Sequence, residues 1–313
     1  MPVADKSIVI TGGAGLVGQN LVAHLDTRGY APITAIDKHT ANCAILEQQH
    51  PAVRVVRADL AMDDTWRGCL AGCQVLVIGH AQIGGVRSEE FVRNNILATE
   101  RLLDAAREHA VEYIVHISSS VVNSMAVDHY TETKKAQEAL VAACGIRHVV
   151  LRPTLMFGWF DRKHLGWLGR WMQRAPIFPI PGSGRYVRQP LYAGDFCGII
   201  ISAIERCTTG AYNISGQERI DYIDLIRAVR DATGSKALIQ RIPYSLFWLL
   251  LKTYAVFDRD PPFTTKQLQA LVTPDLFEII DWPGIFGVSS TPLKVALEQT
   301  FRHPVYSRVV LEF

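Results

Sequence analysis

The stretch Thr11-Gly12-Gly13-Ala14-Gly15-Leu16-Val17-Gly18 decides the fold that this sequence predicts. It follows an apolar run at residues 7–10, which predicts a short buried strand, and leads into residues 16–28, which predict a helix. A glycine-rich turn between a strand and a helix leaves backbone N–H groups at the start of the helix, where they can hold a phosphate. The stretch therefore predicts a phosphate-binding loop.

The spaced glycines have separate tasks in such a loop. We expect Gly12 to allow the tight turn, Gly15 to let a pyrophosphate approach the backbone, and Gly18 to let the helix pack closely on the strand. Leu16 and Val17 lie between them and belong to the same predicted cofactor site. The spacing has one residue more between the first two glycines than the fingerprint Gly-x-Gly-x-x-Gly, and a plain turn is the alternative for a loop of this kind.

The rest of the first half repeats a strand-then-helix rhythm. Further strands are predicted at residues 32–37, 53–58, 74–79 and 112–118, and helices at 43–49, 62–71 and 88–109. Alternation of this kind is typical of a parallel sheet with helices on both faces. The predicted fold class is therefore α/β, a Rossmann-type doubly wound parallel sheet.

An acidic residue closes the second predicted strand. Asp37 stands 19 residues after Gly18, where a carboxylate accepts hydrogen bonds from an adenosine ribose. A 2′-phosphate would meet its negative charge, so Asp37 favours NAD over NADP. The neighbouring Lys38 leaves NADP open as an alternative.

Composition excludes several classes of function. The chain of 313 residues is 49% hydrophobic and 20% charged, with a net charge of +2, so nothing in its charge indicates a nucleic-acid partner. Six cysteines without a Cys-x-x-Cys pair and ten scattered histidines give no metal-site spacing, and no metal is expected. No apolar segment of the signal-peptide kind opens the chain, which predicts a cytoplasmic protein with reduced thiols.

Tyr130 and Lys134 form a second constellation. They stand four residues apart at the start of a predicted helix, so they share a face one turn apart. An ammonium near a phenol lowers its pKa towards the working pH, which suits proton transfer to a hydroxyl or carbonyl oxygen. Ser118-Ser119-Ser120 ends the fifth strand at the edge of the sheet where the cofactor crevice is expected, and its hydroxyls could bind the reacting oxygen.

Taken together, the motifs between residues 7 and 216 resemble the short-chain dehydrogenase/reductase superfamily, in its extended, nucleotide-sugar epimerase/dehydratase type. The matching residues are Thr11 to Gly18, Ala35 to Lys38, Ala58-Asp59-Leu60, Asn95 with Thr99, His116 to Ser119, Tyr130 with Lys134, Leu151-Arg152-Pro153 and Phe157-Gly158. The resemblance implies an NAD-dependent enzyme, and it also implies a homodimer.

The resemblance assigns roles to individual residues. It places Asp59 and Leu60 against the adenine, and His80 and Ala81 along the cofactor. The other residues that it adds to the cofactor site are Asn95, Tyr130, Lys134 and Pro153.

For the chemistry, the resemblance makes Tyr130 the general acid/base and gives Lys134 the nicotinamide ribose. Ser119 orients the substrate oxygen, with the adjacent Ser120 as the alternative in an ambiguous run.

Two departures from the family pattern bear on substrate and activity. The family has Val-Tyr-Gly shortly after the serine, whereas this chain has Val122-Asn123-Ser124. The stretch from Ser119 to Tyr130 is also shorter than in typical sugar epimerases. Such shortening resembles atypical relatives, some of which are non-catalytic scaffolds or sensors, although those usually lose the tyrosine or lysine that this chain keeps.

The second half suggests the substrate. In nucleotide-sugar relatives an arginine seven residues before an aspartate clamps a diphosphate, and Arg188 stands at that distance from Asp195. A guanidinium can donate two parallel hydrogen bonds to a phosphate. Arg185 is a weaker second candidate. We expect Asp195 itself to cap the helix that follows.

The chain is predicted to form two interleaved lobes. Residues 1–157 would form the dinucleotide-binding domain, to which residues 190–213 return, and residues 158–189 and 214–313 would form a smaller substrate lobe. Helices are predicted near residues 221–233, 265–272 and 292–301, and a loop at 281–287.

Residues 244–257 are strongly apolar but too short to span a bilayer, and they carry Lys252. Because apolar residues run nearly all round the predicted helix, we expect it to lie in the core. An interfacial helix, in weak contact with a membrane surface, is the alternative.

The sequence thus predicts an NAD-dependent oxidoreductase or epimerase that acts on a hydroxyl or keto carbon of a diphosphate-linked sugar. Dehydration is less favoured, because no Asp-Glu pair follows the serine run. The alternatives are an enzyme that epimerises a polyprenyl-diphosphate sugar at the inner membrane face, and a non-catalytic NAD(P)-binding scaffold or sensor.

Overall fold

A seven-stranded sheet, parallel throughout, organises the protein. The computed structural model describes residues 6–124, 128–257, 265–273 and 276–312. The strands of this sheet are β1 (Ile8–Thr11), β2 (Ile33–Asp37), β3 (Arg54–Arg57), β4 (Val75–Ile78), β5 (Tyr113–Ile117), β6 (Arg147–Pro153) and β11 (Gly210–Ile214). Their spatial order is β11-β6-β5-β4-β1-β2-β3, so the order reverses between β1 and β4. The predicted doubly wound sheet is confirmed.

Helices cover both faces of the sheet. Those that follow the strands are α1 (Leu16–Thr27), α2 (Thr40–Gln49), α3 (Ser88–Phe91), α4 (Ala98–Glu108), α5 (His129–Ala142) and α7 (Ala193–Arg206). Within β1, Ile8 and Ile10 pack on the side of α1 and α7, whereas Val9 faces the side of α4 and α5. Side chains that alternate between two apolar faces require burial on both sides, which explains the continuous apolar runs of these strands.

Two predictions of secondary structure were wrong. Residues 62–71 hold only a 3₁₀ turn, Arg67–Leu70, because the Asp63 carboxylate accepts hydrogen bonds from the backbone N–H groups of Asp59 and Thr65 and so competes with a helix. The predicted loop at 281–287 contains helix α11 (Trp282–Phe286), which begins where the Asp281 side chain accepts from Gly284 N.

Asp195 does not cap α7, as we had expected. The helix begins at Ala193, and the Asp195 carboxylate instead accepts hydrogen bonds from the backbone N–H and the hydroxyl of Thr291. Asp195 therefore ties α7 to the C-terminal segment.

The second lobe has its own core. Its strands are β7 (Met156–Phe157), β8 (Ile177–Pro181), β9 (Val187–Arg188), β10 (Leu191–Tyr192), β12 (Ile220–Asp221) and β13 (Leu238–Ile242). Around the paired β8 and β13 pack α6 (Leu165–Met172), α8 (Tyr222–Thr233) and α12 (Leu293–Arg302). Because α7 and β11 belong to the first lobe, the chain crosses between the lobes more than once. On that basis we propose the domain bounds that the sequence predicts.

Helix α9 (Tyr244–Phe257) has the predicted bounds but does not lie in the core. The side chains of Leu246, Leu249 and Leu250 are 45%, 55% and 54% exposed. Helix α10 (Thr265–Val272) packs against it. The prediction of a core helix was therefore wrong. Among the described residues, no helix is long and apolar enough to cross a membrane.

The glycine loop after β1 is a backbone contact that no side chain would fit. Gly12 has φ +67°, and a Cβ there would lie 2.7 Å from the carbonyl carbon of Gly79. A Cβ on Gly18 would lie 2.4 Å from the carbonyl oxygen of Gly12. These contacts seat α1 against the turn and the turn against the end of β4, which confirms the expectations for Gly12 and Gly18.

We therefore expect Gly18→Ala to lower the free energy of unfolding by about 1–3 kcal/mol, since a methyl group must displace the backbone of the loop. Chemical denaturation measures this loss. The control is Gly68→Ala, because no atom lies within 4 Å of the Cβ that it would add. Equal stability of the two variants would contradict the close packing described for the loop.

Candidate active site

The candidate site lies at the carboxyl edge of the sheet, where the strand order reverses. Gly12 follows β1, His80 follows β4, and the serine run Ser118–Ser120 follows β5. In open α/β sheets this reversal opens a crevice between the diverging loops. The sheet therefore brings the glycine loop and the serine run to one crevice, as the sequence predicts.

The glycine loop and Asp37 form one continuous cradle. Helix α1 begins at Gly15 without a side-chain cap, so the N–H groups of its first turn are left for a ligand oxygen. Asp37 Oδ2 accepts a hydrogen bond of 3.1 Å from Ala14 N, and Oδ1 accepts one of 3.0 Å from His39 N. The carboxylate is thus fixed beside the loop at the end of β2. A dinucleotide pyrophosphate on α1 and a ribose at Asp37 fit this cradle.

Lys38 is paired with an acid next to the cradle. Its Nζ lies 3.4 Å from Asp59 Oδ2 and donates a 2.8 Å hydrogen bond to Asn94 Oδ1. Asp59 Oδ1 also accepts from Ala61 N, and Leu60 between them is buried. The Asp59 carboxylate already balances the Lys38 charge. Lys38 therefore attracts a 2′-phosphate less strongly than an unpaired lysine would.

Asn95 is fully buried and braces the loop that carries His80 and Ala81. Its Oδ1 accepts a 2.6 Å hydrogen bond from Gln82 N, and its Nδ2 donates to Thr133 Oγ1 at 3.0 Å. Asn95 lies in a π-helical segment, Val92–Leu97, and such segments are frequent at functional sites. Both ends of the Asn95 amide bind protein groups in this structure. Its predicted contribution to the cofactor site would therefore be to hold this loop in place.

Lys134 is a buried amine held between two acceptors. Its side chain projects from α5 and is 1% exposed, and Nζ donates to the Ile117 carbonyl at 3.1 Å and to Gln137 Oε1. Burial lowers the pKa of this ammonium to about 7, against the opposing attraction of the Glu138 carboxylate. The amine is therefore poised near neutrality, unlike an ordinary surface lysine.

Sequence analysis missed Gln137, which extends the site around Lys134. The Gln137 side chain is fully buried, and its Nε2 donates to Thr99 Oγ1 at 2.8 Å. The His80 ring lies between the same Thr99 hydroxyl and the Thr11 hydroxyl. Its Nε2 is 3.1 Å from Thr99 Oγ1, and its Nδ1 is 2.9 Å from Thr11 Oγ1. The available signal was spacing, because Gln137 lies three residues after Lys134 on the same helix.

The His80 imidazole is neutral in this network. Burial, with the nearby ammonium groups of Lys134 and Lys38, lowers its pKa to about 3. A neutral ring both donates and accepts a hydrogen bond, which suits its position between two threonine hydroxyls.

Tyr130 is paired with Ser119 rather than with the ammonium. The phenol is hydrogen-bonded to Ser119, and burial raises its pKa above the ordinary value, with the Asp128 carboxylate raising it further. The expected lowering of this pKa by Lys134 is wrong for the protein alone, because Nζ is directed at Ile117 and Gln137. The contact favours Ser119 over Ser120 as the hydroxyl partner of the tyrosine.

Ser118 has a different task from its neighbour. Its hydroxyl donates to Glu138 Oε2 at 2.7 Å, and the same carboxylate pairs with the Arg152 guanidinium. This half-buried cluster joins β5, α5 and β6 next to the site. The Ser118 hydroxyl therefore has a structural role.

The predicted substrate arginines lie in the second lobe. Arg188 donates to the carbonyl oxygens of Leu271 and, at 2.9 Å, Thr273, so its guanidinium holds the end of α10. Arg185 is largely exposed and lies 3.5 Å from Asp221. Neither is brought next to Tyr130 by a described contact, and their roles stay predictions.

Arg188 also lines a cavity whose walls are mainly apolar. The cavity has about 390 Å³ of empty volume, part of which is open to solvent. Its lining residues are Leu155, Met156, Phe157, His164, Leu165, Arg188, Gln189, Pro190, Leu225 and Phe277. Pro153, at the end of β6, is buried two residues before this wall begins.

No group of three histidine, cysteine or acidic side chains within the described ranges is arranged to hold a metal ion.

A dinucleotide cradle that shares a crevice with a tyrosine and a lysine one turn apart is the mark of an NAD-dependent short-chain dehydrogenase/reductase. The chain belongs to the NAD dependent epimerase/dehydratase family, whose model matches residues 8–215. NAD is the cofactor of this family, and its members include epimerases, dehydratases and reductases.

Three relatives illustrate the range of this similarity. The chain is 27% identical to a 4-hydroxy-2-methyl-3-oxo-4-farnesyl-3,4-dihydroquinoline-1-oxide ketoreductase of Stigmatella aurantiaca, over 75% of each chain. It is 28% identical to a dTDP-glucose 4,6-dehydratase of Streptomyces antibioticus, over 73% of this chain and 77% of the relative. The UDP-glucuronic acid 4-epimerase of Bacillus cereus, solved with NAD, has the same fold, with a TM-score of 0.74, 21% identity and coverage of 95% and 98%.

The burial of Lys134 predicts a pH-dependent stability. An unfolded lysine keeps the ordinary pKa of 10.5, whereas the folded value is about 7. Between these values the unfolded state binds more protons, so the burial costs less as the pH rises. We expect the free energy of unfolding of the parent, relative to Lys134→Met, to rise by about 2 kcal/mol from pH 7 to 9, at about 1.4 kcal/mol per pKa unit.

Chemical denaturation of both proteins at each pH measures this difference. Lys135→Met is the matched control, because the Lys135 side chain is 39% exposed and its ammonium pairs with Glu132 at the surface. A parent-to-variant difference that stays constant with pH for Lys134→Met would mean that the amine is not buried as described.

Proposed function

We propose that the protein is an NAD-dependent oxidoreductase or epimerase that acts on a hydroxyl or keto carbon of a diphosphate-linked sugar. The observation that carries the proposal is the partly buried Tyr130 phenol, hydrogen-bonded to Ser119 at the carboxyl edge of β5, with Lys134 one turn along α5. Bound NAD would supply a hydride acceptor, or its reduced form a donor, in the same crevice.

In this proposal Tyr130 transfers the proton of the reacting hydroxyl. Its raised pKa keeps the phenol protonated at neutral pH, which suits donation to the oxygen of a ketone while the carbon is reduced. Ser119 shares its hydrogen bond between the phenol and that oxygen, and so fixes the distance between them.

Lys134 has a positioning and electrostatic role in the proposal. Its ammonium has three N–H groups, and the described protein acceptors are the Ile117 carbonyl and Gln137 Oε1. The third N–H is available to a ribose hydroxyl of the cofactor. A positive charge at this place would also stabilise a phenolate that forms during the reaction.

The same groups support two outcomes. If the keto intermediate rotates and is reduced on its other face, the enzyme is an epimerase, and if the product leaves, it is a reductase or dehydrogenase. Dehydration is less favoured, since no Asp-Glu pair follows the serine run, although four relatives are named dTDP-glucose 4,6-dehydratase.

Arg188 is the group that we assign to the substrate diphosphate. Its guanidinium is half-buried beside the cavity and now donates to carbonyl oxygens at the end of α10. A phosphate would be a stronger acceptor than these carbonyls, so substrate would compete for the guanidinium.

The apolar cavity favours a second candidate, a polyprenyl-diphosphate sugar. Of the groups that line it beside Arg188, most are apolar and few could read the edge of a nucleoside base. A relative named for a farnesyl-bearing substrate accords with a lipid chain near this position. The proposal also includes a homodimer in the cytoplasm, with peripheral contact at the inner membrane face.

The most direct test is a turnover and hydride-exchange screen across nucleotide sugars and polyprenyl-diphosphate sugars. We expect Tyr130→Phe to lose turnover by about 10²-fold or more, because the general acid/base is removed. NAD binding, measured by calorimetry, should stay nearly unchanged.

Tyr212→Phe is the matched control, since the Tyr212 hydroxyl only donates to the Thr209 carbonyl at the far edge of the sheet. Full turnover by Tyr130→Phe would sink the catalytic assignment. A parent that binds NAD but neither turns over nor exchanges hydride with any of these sugars would support the scaffold or sensor instead.

Asp37 predicts a preference for NAD over NADP. Asp37→Asn keeps a side-chain oxygen that can accept from Ala14 N but removes the charge that repels a 2′-phosphate. We expect the ratio of the two dissociation constants to move about tenfold towards NADP, equivalent to about 1.4 kcal/mol. An unchanged ratio would remove Asp37 from the ribose site.

A further inference from the structure

We propose that the exposed side of α9 binds the surface of a bilayer that contains anionic phospholipid. The docking face is the described part of that helix, Tyr244–Thr253, with its leucines Leu246, Leu249 and Leu250. This inference rests on the peripheral membrane contact of the proposed function, which it deepens by naming the face and the lipid, and it does not depend on the reaction.

The three leucines form one ridge. At 100° per residue, they lie within about 100° of the helix circumference. Each is close to half exposed or more, at 45%, 55% and 54%. Phe247 and Leu251, which lie about 60° and about 100° round the helix from Leu250, are only partly exposed. An apolar ridge of this size costs free energy in water unless something covers it.

Lys252 borders the ridge, about 60° round the helix from Leu249, and Trp248 lies further round, about 100° from Leu249. The Lys252 ammonium lies over the Trp248 ring, 4.5 Å from its centre, and both side chains are exposed. A long basic side chain suits the headgroup layer, where its apolar stem is buried and the charge stays in water. Leucines with a lysine at their border are typical of helices that lie in a membrane interface.

Two segments that belong to or adjoin the docking face carry basic residues and no acid, although Asp258 and Asp260 follow α9 in the sequence. Residues 232–257 contain Lys236, Arg241 and Lys252 but no aspartate or glutamate. Residues 162–194 contain six lysines and arginines and again no acid. At the average of the chain, 30 acids in 313 residues, these two segments together would carry about six. The two segments are adjacent in space, because β8 pairs with β13. Such a surface attracts anionic lipid and repels a basic partner.

The strands next to α9 extend the exposed apolar surface. Leu238 on β13 and Ile177 on β8 lie directly opposite each other in the pair and are 60% and 51% exposed. Arg174 and Arg241, on the same segments, are exposed as well. The combination of apolar and basic groups therefore continues beyond one helix.

The docking face is connected to the substrate side of the protein. Helix α10 packs on α9, and its last carbonyls accept from Arg188, which lines the apolar cavity. A bilayer on α9 would thus lie one helix away from the proposed diphosphate site. If the proposed function holds, this position suits a sugar carried on a membrane lipid.

Sedimentation with vesicles tests the proposal. We expect the full chain to bind vesicles of mixed phosphatidylcholine and phosphatidylglycerol, to bind pure phosphatidylcholine more weakly, and to lose binding as salt is raised. Leu249→Glu with Leu250→Glu should lower the partition coefficient at least tenfold, and Lys252→Gln about fivefold, on the scale of about 1 kcal/mol per basic residue near the surface.

The matched control is Val295→Glu with Val310→Glu, which adds two charges at residues that are 41% and 44% exposed elsewhere. This variant should bind vesicles like the parent. Equal thermal unfolding of the parent and of the Leu249 and Leu250 variant would show that the charges act on binding, as expected for exposed positions.

Two results would overturn the proposal. One is a parent that does not sediment with anionic vesicles, and the other is a double glutamate variant at Leu249 and Leu250 that binds as well as the parent. If that variant instead changes the molar mass in light scattering while the parent ignores lipid, the face joins two protein chains and the proposal fails. Tyr130→Phe should bind vesicles like the parent, so loss of the proposed function alone leaves this result intact.

Discussion

The buried ammonium of Lys134 is the interaction on which the arrangement of the site depends. An amine removed from water needs acceptors for its protons, and here they come from the end of β5 and from Gln137 on its own helix. The hydrogen bond to the Ile117 carbonyl fixes α5 against the central strand. Tyr130 on the preceding turn is thereby held over the serine run that leaves the same strand.

The network behind Lys134 explains why several polar groups are tolerated inside the protein. Gln137, Thr99, His80 and Thr11 satisfy one another across α5, α4, β4 and β1. In a medium of low dielectric, a complete network is stable, whereas one missing partner would leave a costly unpaired group. The site is thus rigid on its inner side and open only towards the crevice, which is the pre-organisation that hydride transfer requires.

The second lobe differs from the site, because β8, β13 and α9 expose apolar side chains. The apolar residues all round α9 predicted that this helix would lie in the core. In the structure α10 packs on α9, and Leu246, Leu249 and Leu250 are exposed. An even distribution of apolar residues around a helix is thus compatible with two environments. The helix can lie in a protein core, or it can contact protein on one face and lipid on the other.

The sequence by itself determined the features that depend on neighbours along the chain. The glycine turn, the alternation of strands and helices, Asp37 at a strand end and the Tyr130–Lys134 spacing are local patterns, and the fold follows from them. It could not determine that Gln137 meets Thr99, that Arg188 holds the end of α10, or that burial raises the Tyr130 pKa. Those facts depend on which elements meet in space and how much water they exclude. Only the tertiary structure decides them, because burial and hydrogen bonding are properties of contacts between distant segments.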